Sequence, residues 1–161
     1  MDARHSTDLG NGNIQVDKFA YIIYDDIGRA VESGVSYRNT TGLLLSDLRS
    51  DLLTDDGDFP SNNGSYTRKE ITWTYYDDNS NVPTGIQSTL ATLFPNGQEN
   101  TRGRVVMSST SYDGNEATPD AISAYTYDIT GNVPQLYRHD KETNRWHHFE
   151  YDFDLITGNT N

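Results

Sequence analysis

The chain has 161 residues, only 34% of them hydrophobic, and a formal net charge of -12 from 12 Lys and Arg against 24 Asp and Glu. Such an acidic surface repels phosphate backbones and anionic lipid faces, which argues against nucleic-acid and membrane partners. The absence of cysteine excludes disulfides and thiolate metal sites. No run reaches the roughly 18 apolar residues of a membrane helix, and "MDARHSTDLG" has no apolar stretch of the signal-peptide kind.

Apolar burial has to come largely from rings, with Tyr 11, Phe 5 and Trp 2. Tyrosine, tryptophan and the many threonines favour strands, so composition predicts a mainly β chain. In chain order, "RHSTDLGNGN" reads as a polar loop leading into "IQVDKFAYIIYDD", a buried strand that ends at Asp25. "IGR" turns and "RAVESGVSY" returns as a second strand. Residues from about 38 to 68 form an insertion, in which Leu44, Leu48 and Leu52 have the spacing of a short amphipathic helix.

"KEITWTYYDD" alternates Ile71, Trp73 and Tyr75 with Thr72, Thr74 and Tyr76, the period of a strand with two different faces. A second insertion, about 78 to 103, holds a short helix: "GIQSTLATLF" sets Ile86, Leu90, Leu93 and Phe94 on one stripe, and Pro95, Asn96 and Gly97 stop it. "RGRVVMSSTSYDG" is again a strand. Beyond Asp120 the spacing tightens into "ISAYTYD", "VPQLYRHD" and "RWHHFEYD", separated by the turns "ITGN" and "KETN". The sequence closes on the turn "FDLITGN", and an array that opens a turn without a following strand is expected to be a fragment of something longer.

Tyr-Asp pairs recur five times, as Tyr24-Asp25, Tyr76-Asp77, Tyr112-Asp113, Tyr127-Asp128 and Tyr151-Asp152. Chance would give roughly 1.2, so the recurrence reads as a repeat interrupted by insertions. In the unit at 127, the tyrosine ring supplies area with a directed hydroxyl, Asp128 accepts a backbone N–H about two residues on, and Gly131 supplies a positive φ. Gly28 keeps the same spacing from Tyr24 and Asp25, and Gly158 stands three residues further from Tyr151 and Asp152. Tyr76 and Tyr112 have no glycine four residues on.

"YIIYDDIGR", "YTYDITGNV" and "FEYDFDLITGN" resemble the YD repeats of the Rhs family, in the insertion-bearing form found in Bacteroidetes, and the likeness extends over the whole chain. The resemblance implies an all-β fold of consecutive antiparallel hairpins winding into a hollow shell, with no separate second domain. It also implies an exported parent polypeptide, extracellular or at the cell surface, whose shell encloses or presents a variable C-terminal effector, often a toxin. The partners it implies are neighbouring repeats of the same polypeptide or of an adjacent chain, and the enclosed effector. A chain of this length is too short to close a cavity, so enclosure would belong to the parent.

Chemistry has few candidates. His148 and Glu150 share a strand face in a ligand-like way, but two ligands do not make a metal site and histidines beside Trp146 are ordinary packing residues. His139 and Asp140 could form an acid/base pair, yet "YRHDKETN" is a hairpin tip. Asp77, Asn79 and Asn81 alternate as in a calcium loop, but its glycine and its bidentate glutamate are missing. No phosphate loop, nucleophile elbow or His-Glu-x-x-His occurs. The expectation is therefore a non-enzymatic chain with no cofactor and no metal. The competing function is a binding module, with Trp73, Trp146 and exposed tyrosines offering a glycan platform.

Overall fold

The computed structural model describes residues 6–8, 14–16, 18–38 and 66–153. Two short strands, β1 (Ser6–Asp8) and β2 (Ile14–Val16), pair antiparallel as a two-stranded sheet. The opening segment was expected to be loop throughout. Its three residues "STD" carry no apolar alternation, and what makes them a strand is their antiparallel pairing with "IQV", which the pattern of the three residues themselves does not encode.

The remaining strands are β3 (Lys18–Tyr24), β4 (Ala30–Arg38), β5 (Tyr66–Tyr76), β6 (Val105–Ser111), β7 (Ala121–Thr126), β8 (Gln135–Asp140) and β9 (Arg145–Glu150). They form one seven-stranded sheet in strict chain order, β3-β4-β5-β6-β7-β8-β9. The fold is mainly β, as composition predicts, and the described residues include one helix, α1 (Thr84–Leu93), between β5 and β6. The chain clusters into two units, Met1–Ile71 and Thr72–Asn161, and the division falls within β5. The helix expected at Leu44–Leu52 and the turn carrying Gly158 lie outside the described residues.

In the first unit β3 is a half-buried strand rather than the buried one expected: Tyr21 faces inward while Ile22 and Tyr24 are exposed. Its apolar run is continuous, so sequence alone could not say which alternate set the sheet would cover. Opposite Tyr21 stands Gly34 of β4. A Cβ there would meet the Tyr21 hydroxyl at 2.9 Å, Ile71 Cγ1 at 3.2 Å and the Lys69 carbonyl at 3.2 Å. The Tyr21 hydroxyl donates to Glu32 Oε1 at 2.5 Å, and Arg68 Nη1 reaches the same oxygen at 2.8 Å, tying β3, β4 and β5 together. Burial first, and then the Glu32 carboxylate, push the Tyr21 hydroxyl well above the ordinary phenol range.

In the second unit the alternation of β5 is realised: Trp73 and Tyr75 are buried while Thr72, Thr74 and Tyr76 are half-exposed. α1 places Ile86 and Leu90 in the core. It ends at Phe94, whose N–H closes on the Leu90 carbonyl and whose ring meets Tyr137 edge-on at 5.0 Å. Register carries two rows of side chains across β6 to β9 on one face, Met107, Ala124, Tyr137 and His148, then Ser109, Ile122, His139 and Trp146.

Candidate functional site

The Tyr-Asp positions stand at strand ends, and two of the turns they open have one hydrogen-bond pattern. Between β3 and β4, Asp25 N donates to the Arg29 carbonyl at 2.9 Å and Gly28 N to the Asp25 carbonyl at 2.9 Å. Between β7 and β8, Asp128 N donates to the Asn132 carbonyl at 3.0 Å and Gly131 N to the Asp128 carbonyl at 3.2 Å. Each carboxylate faces back into its turn. Asp25 Oδ1 accepts from Ile27 N and Arg29 N, and Asp128 Oδ1 from the N–H groups of Thr130, Gly131 and Asn132. The residue four on then closes the loop through its side chain, Arg29 Nε at 2.7 Å from Asp25 Oδ2 and Asn132 Nδ2 at 2.9 Å from Asp128 Oδ2. Gly28 and Gly131 have φ of 84° and 96°, where a side chain would be strained.

Where the glycine four residues on is missing, the positive φ moves. After β5 it falls on Asp77 itself, at 69°. Asp77 N donates to the Arg104 carbonyl, its own carbonyl accepts from Thr101 Oγ1 and its Oδ1 from Gly103 N. After β6 it falls on Gly114, and Asp113 Oδ1 accepts from Ser111 Oγ and Asn115 N. Asp152 is exposed beyond β9.

The tyrosines of the pairs differ more than their aspartates. Tyr127 is half-buried, its hydroxyl donates to the Val105 carbonyl at 2.7 Å and the Arg104 guanidinium lies 5.2 Å from its ring centre. Tyr24 and Tyr112 instead leave 58% and 70% of their surface exposed, and Tyr151 is exposed with its ring 6.2 Å from that of Phe153.

The shared acidic turns leave an electrostatic signature. Asp128 is held down at about 2, by the Thr130 hydroxyl first and then by Asn132 and Gly131. Asp25 is lowered chiefly by the Arg29 N–H, and Asp113 by the Ser111 hydroxyl. The folded chain thus keeps Asp128 ionised at pH values where the unfolded chain, with the ordinary value of 3.8, takes up a proton. Its contribution is complete above about pH 4 and lost as pH falls toward 2. We expect Asp128→Asn to lower stability at neutral pH and to flatten its decline on acidification. Denaturant midpoints at pH 7 and pH 2.5 check this, and a variant deficit as large at pH 2.5 as at pH 7 would refute it.

One residue that sequence reasoning passed over organises the same region. Gln98 Nε2 donates to the carbonyls of Val106 at 2.7 Å and Tyr125 at 2.5 Å, while its Oε1 accepts from Asn79 Nδ2. The side chain thus replaces a ladder bond where β6 and β7 begin to pair. A lone glutamine in a polar loop carries no sequence signal for this. Gln98→Leu strands both carbonyls and is expected to cost about 1–3 kcal/mol in denaturant unfolding.

The other candidates are structural where the chain places them. His148 stacks on Tyr137 at 4.2 Å and 2°, and Glu150 Oε1 accepts from Gln135 Nε2 at 3.5 Å. Asp140 Oδ1 caps its turn by accepting from Thr143 N, and His139 faces Trp146 and Asn144 rather than Asp140. Asn79 is engaged by Gln98, and Asp78 accepts from Ser80 N. Among the described residues no three His, Asp or Glu side chains converge as metal ligands, and no helix is long and apolar enough to cross a membrane. Trp73 is 8% exposed, which removes it from any surface platform, while Trp146 is half-buried at the sheet's β9 edge. No family model, curated protein or solved structure matches this chain.

Proposed function

We propose that this chain is a structural segment of a hairpin shell of the Rhs/YD-repeat kind, serving a larger exported polypeptide that encloses or presents a variable C-terminal effector. The observation that carries this reading is the strict order of the sheet, in which each strand from β3 to β9 pairs with its neighbour in sequence, and two of its connections use the same Asp-to-Gly turn. A strip so built lengthens by adding hairpins, because each unit needs only the edge of the previous one. Its edges, β3 and β9, are where neighbouring repeats of the same polypeptide or of an adjacent chain would pair. The role is one of support and enclosure at or outside the cell surface, without catalysis by this segment.

Limited proteolysis of the natural product tests it. A shell shields what it encloses, so a segment C-terminal to these hairpins should resist protease in the native protein and be cut rapidly once the hairpins are unfolded. Equal cutting in both states contradicts enclosure.

A further inference from the structure

The two edges of the seven-stranded sheet are built differently. β3 is blunted, because its register with β4 shifts between Ile23 and Tyr24 and Lys18 stands at its start. β9 has none of these devices. It pairs with β8 without a shift, holds no Pro, Gly or Lys, and no described strand lies beyond it. In a chain of net charge -12 it is also nearly neutral, with Arg145 at one end and Glu150 at the other. Phe149 and, just past the strand, Tyr151 are exposed.

The ladder decides which groups this edge presents. Tyr151 N donates to the Pro134 carbonyl at 2.8 Å, just beyond the β8–β9 pairing. Backbone groups alternate along an antiparallel pair, so Arg145, His147 and Phe149 also turn their N–H and carbonyl toward β8, while Trp146, His148 and Glu150 turn theirs outward. A strand arriving antiparallel has to set its own outward residues opposite these.

We propose that a second copy of this chain pairs with this edge, β9 against β9, about a two-fold axis at His148. The proposal rests on the open β9 edge of the reading above and names its partner. The strand is complementary to itself in this arrangement: His148 faces its own copy, Trp146 faces the partner's Glu150, and every outward N–H and carbonyl finds a bond. A register moved by two residues leaves Trp146 or Glu150 opposite a residue outside the strand. On the face away from the Tyr137–His148 row, His147 covers the partner's Phe149 and Arg145 lies across the ring of the partner's Tyr151, a cation on an aromatic face. Antiparallel alignment also brings the basic end of one strand to the acidic end of the other, whereas parallel alignment sets like ends together. A two-fold contact closes on itself, so assembly stops at two.

Sedimentation equilibrium of the full chain from about 10 μM to about 1 mM is the test, since a single strand edge is a small interface. The mass should rise from 18.1 kDa to twice that value. Hydrogen exchange at the amides of Trp146, His148 and Glu150 should slow as concentration rises, while His147 and Phe149, already bonded to β8, change little. His148→Glu sets two carboxylates opposite each other and His148→Lys two ammonium groups, so each variant alone should dimerise at least about fivefold more weakly, and the two mixed should recover the native affinity. That recovery separates loss of the contact from loss of the fold. A mass of 18.1 kDa throughout, species larger than a dimer, a dimer whose outward amides keep their exchange rates, or a mixture no tighter than either variant each overturn the proposal. None of these outcomes bears on the protection of an enclosed segment, so the two readings fail separately.

Discussion

Leu90→Ala is expected to destabilise the second unit by about 2–5 kcal/mol, measured as a fall in denaturant midpoint. Leu90 is 1% exposed and belongs to the buried side of α1 with Ile86, a stripe that Phe94 extends past the helix end. Truncation removes the transfer energy of the lost methyl groups and leaves a cavity that a ten-residue helix, anchored at Ile86 and Phe94, cannot collapse. The helix itself has little to fall back on. Its N-cap is Pro83, with no side-chain cap bond, and its first turn has no acidic residue. Packing therefore holds α1 in place, and a loss below about 1 kcal/mol would show that this burial is not what holds it.

The second large effect is expected at Gly34→Val, with a loss of about 1–3 kcal/mol from overpacking. Two of the three atoms that a Cβ would meet belong to side chains, the Tyr21 hydroxyl and Ile71 Cγ1, but the third is the backbone carbonyl of Lys69 at 3.2 Å and cannot step aside. The added methyl groups of valine also crowd the Tyr21 hydroxyl away from Glu32, so the Tyr21–Glu32–Arg68 network should break with the packing. A matched Gly85→Ala, at a position with open space around Cβ, is expected to be neutral or stabilising. Denaturant unfolding of both variants separates crowding at Gly34 from a general effect of replacing glycine.

Strand β5 was legible because Ile71, Trp73 and Tyr75 against Thr72, Thr74 and Tyr76 leave only one choice of inner face. α1 was legible because four apolar residues at helical spacing end on Pro95, Asn96 and Gly97, and the turns after Tyr24 and Tyr127 because aspartate and glycine each have a local geometric reason to stand there. What stayed hidden depends on pairing partners that the local residue pattern does not name. β1 exists through its pairing with β2, and Gln98 matters through the carbonyls of Val106 and Tyr125, 8 and 27 residues away. Trp73 and Trp146 look alike in sequence, and only the sheet decides that one is core and the other lines an open recess. The same holds for His148, whose ligand-like spacing with Glu150 is overridden by the stack on Tyr137 across the β8–β9 register.

The aspartate turns connect these levels. A short local motif fixes the reversals after β3 and β7, each reversal makes its two flanking strands neighbours, and the sheet's order follows the order of the chain. Nothing in that scheme limits the number of hairpins, and that openness is what motivates the proposed scaffold role.

Whether these hairpins work as part of a larger exported polypeptide is decided by the intact mass of the natural product that carries this sequence, measured with its distribution among cytosol, envelope and medium. A mass far above 18.1 kDa, found in the envelope or the medium, is expected. A product of 18.1 kDa confined to the cytosol would contradict it.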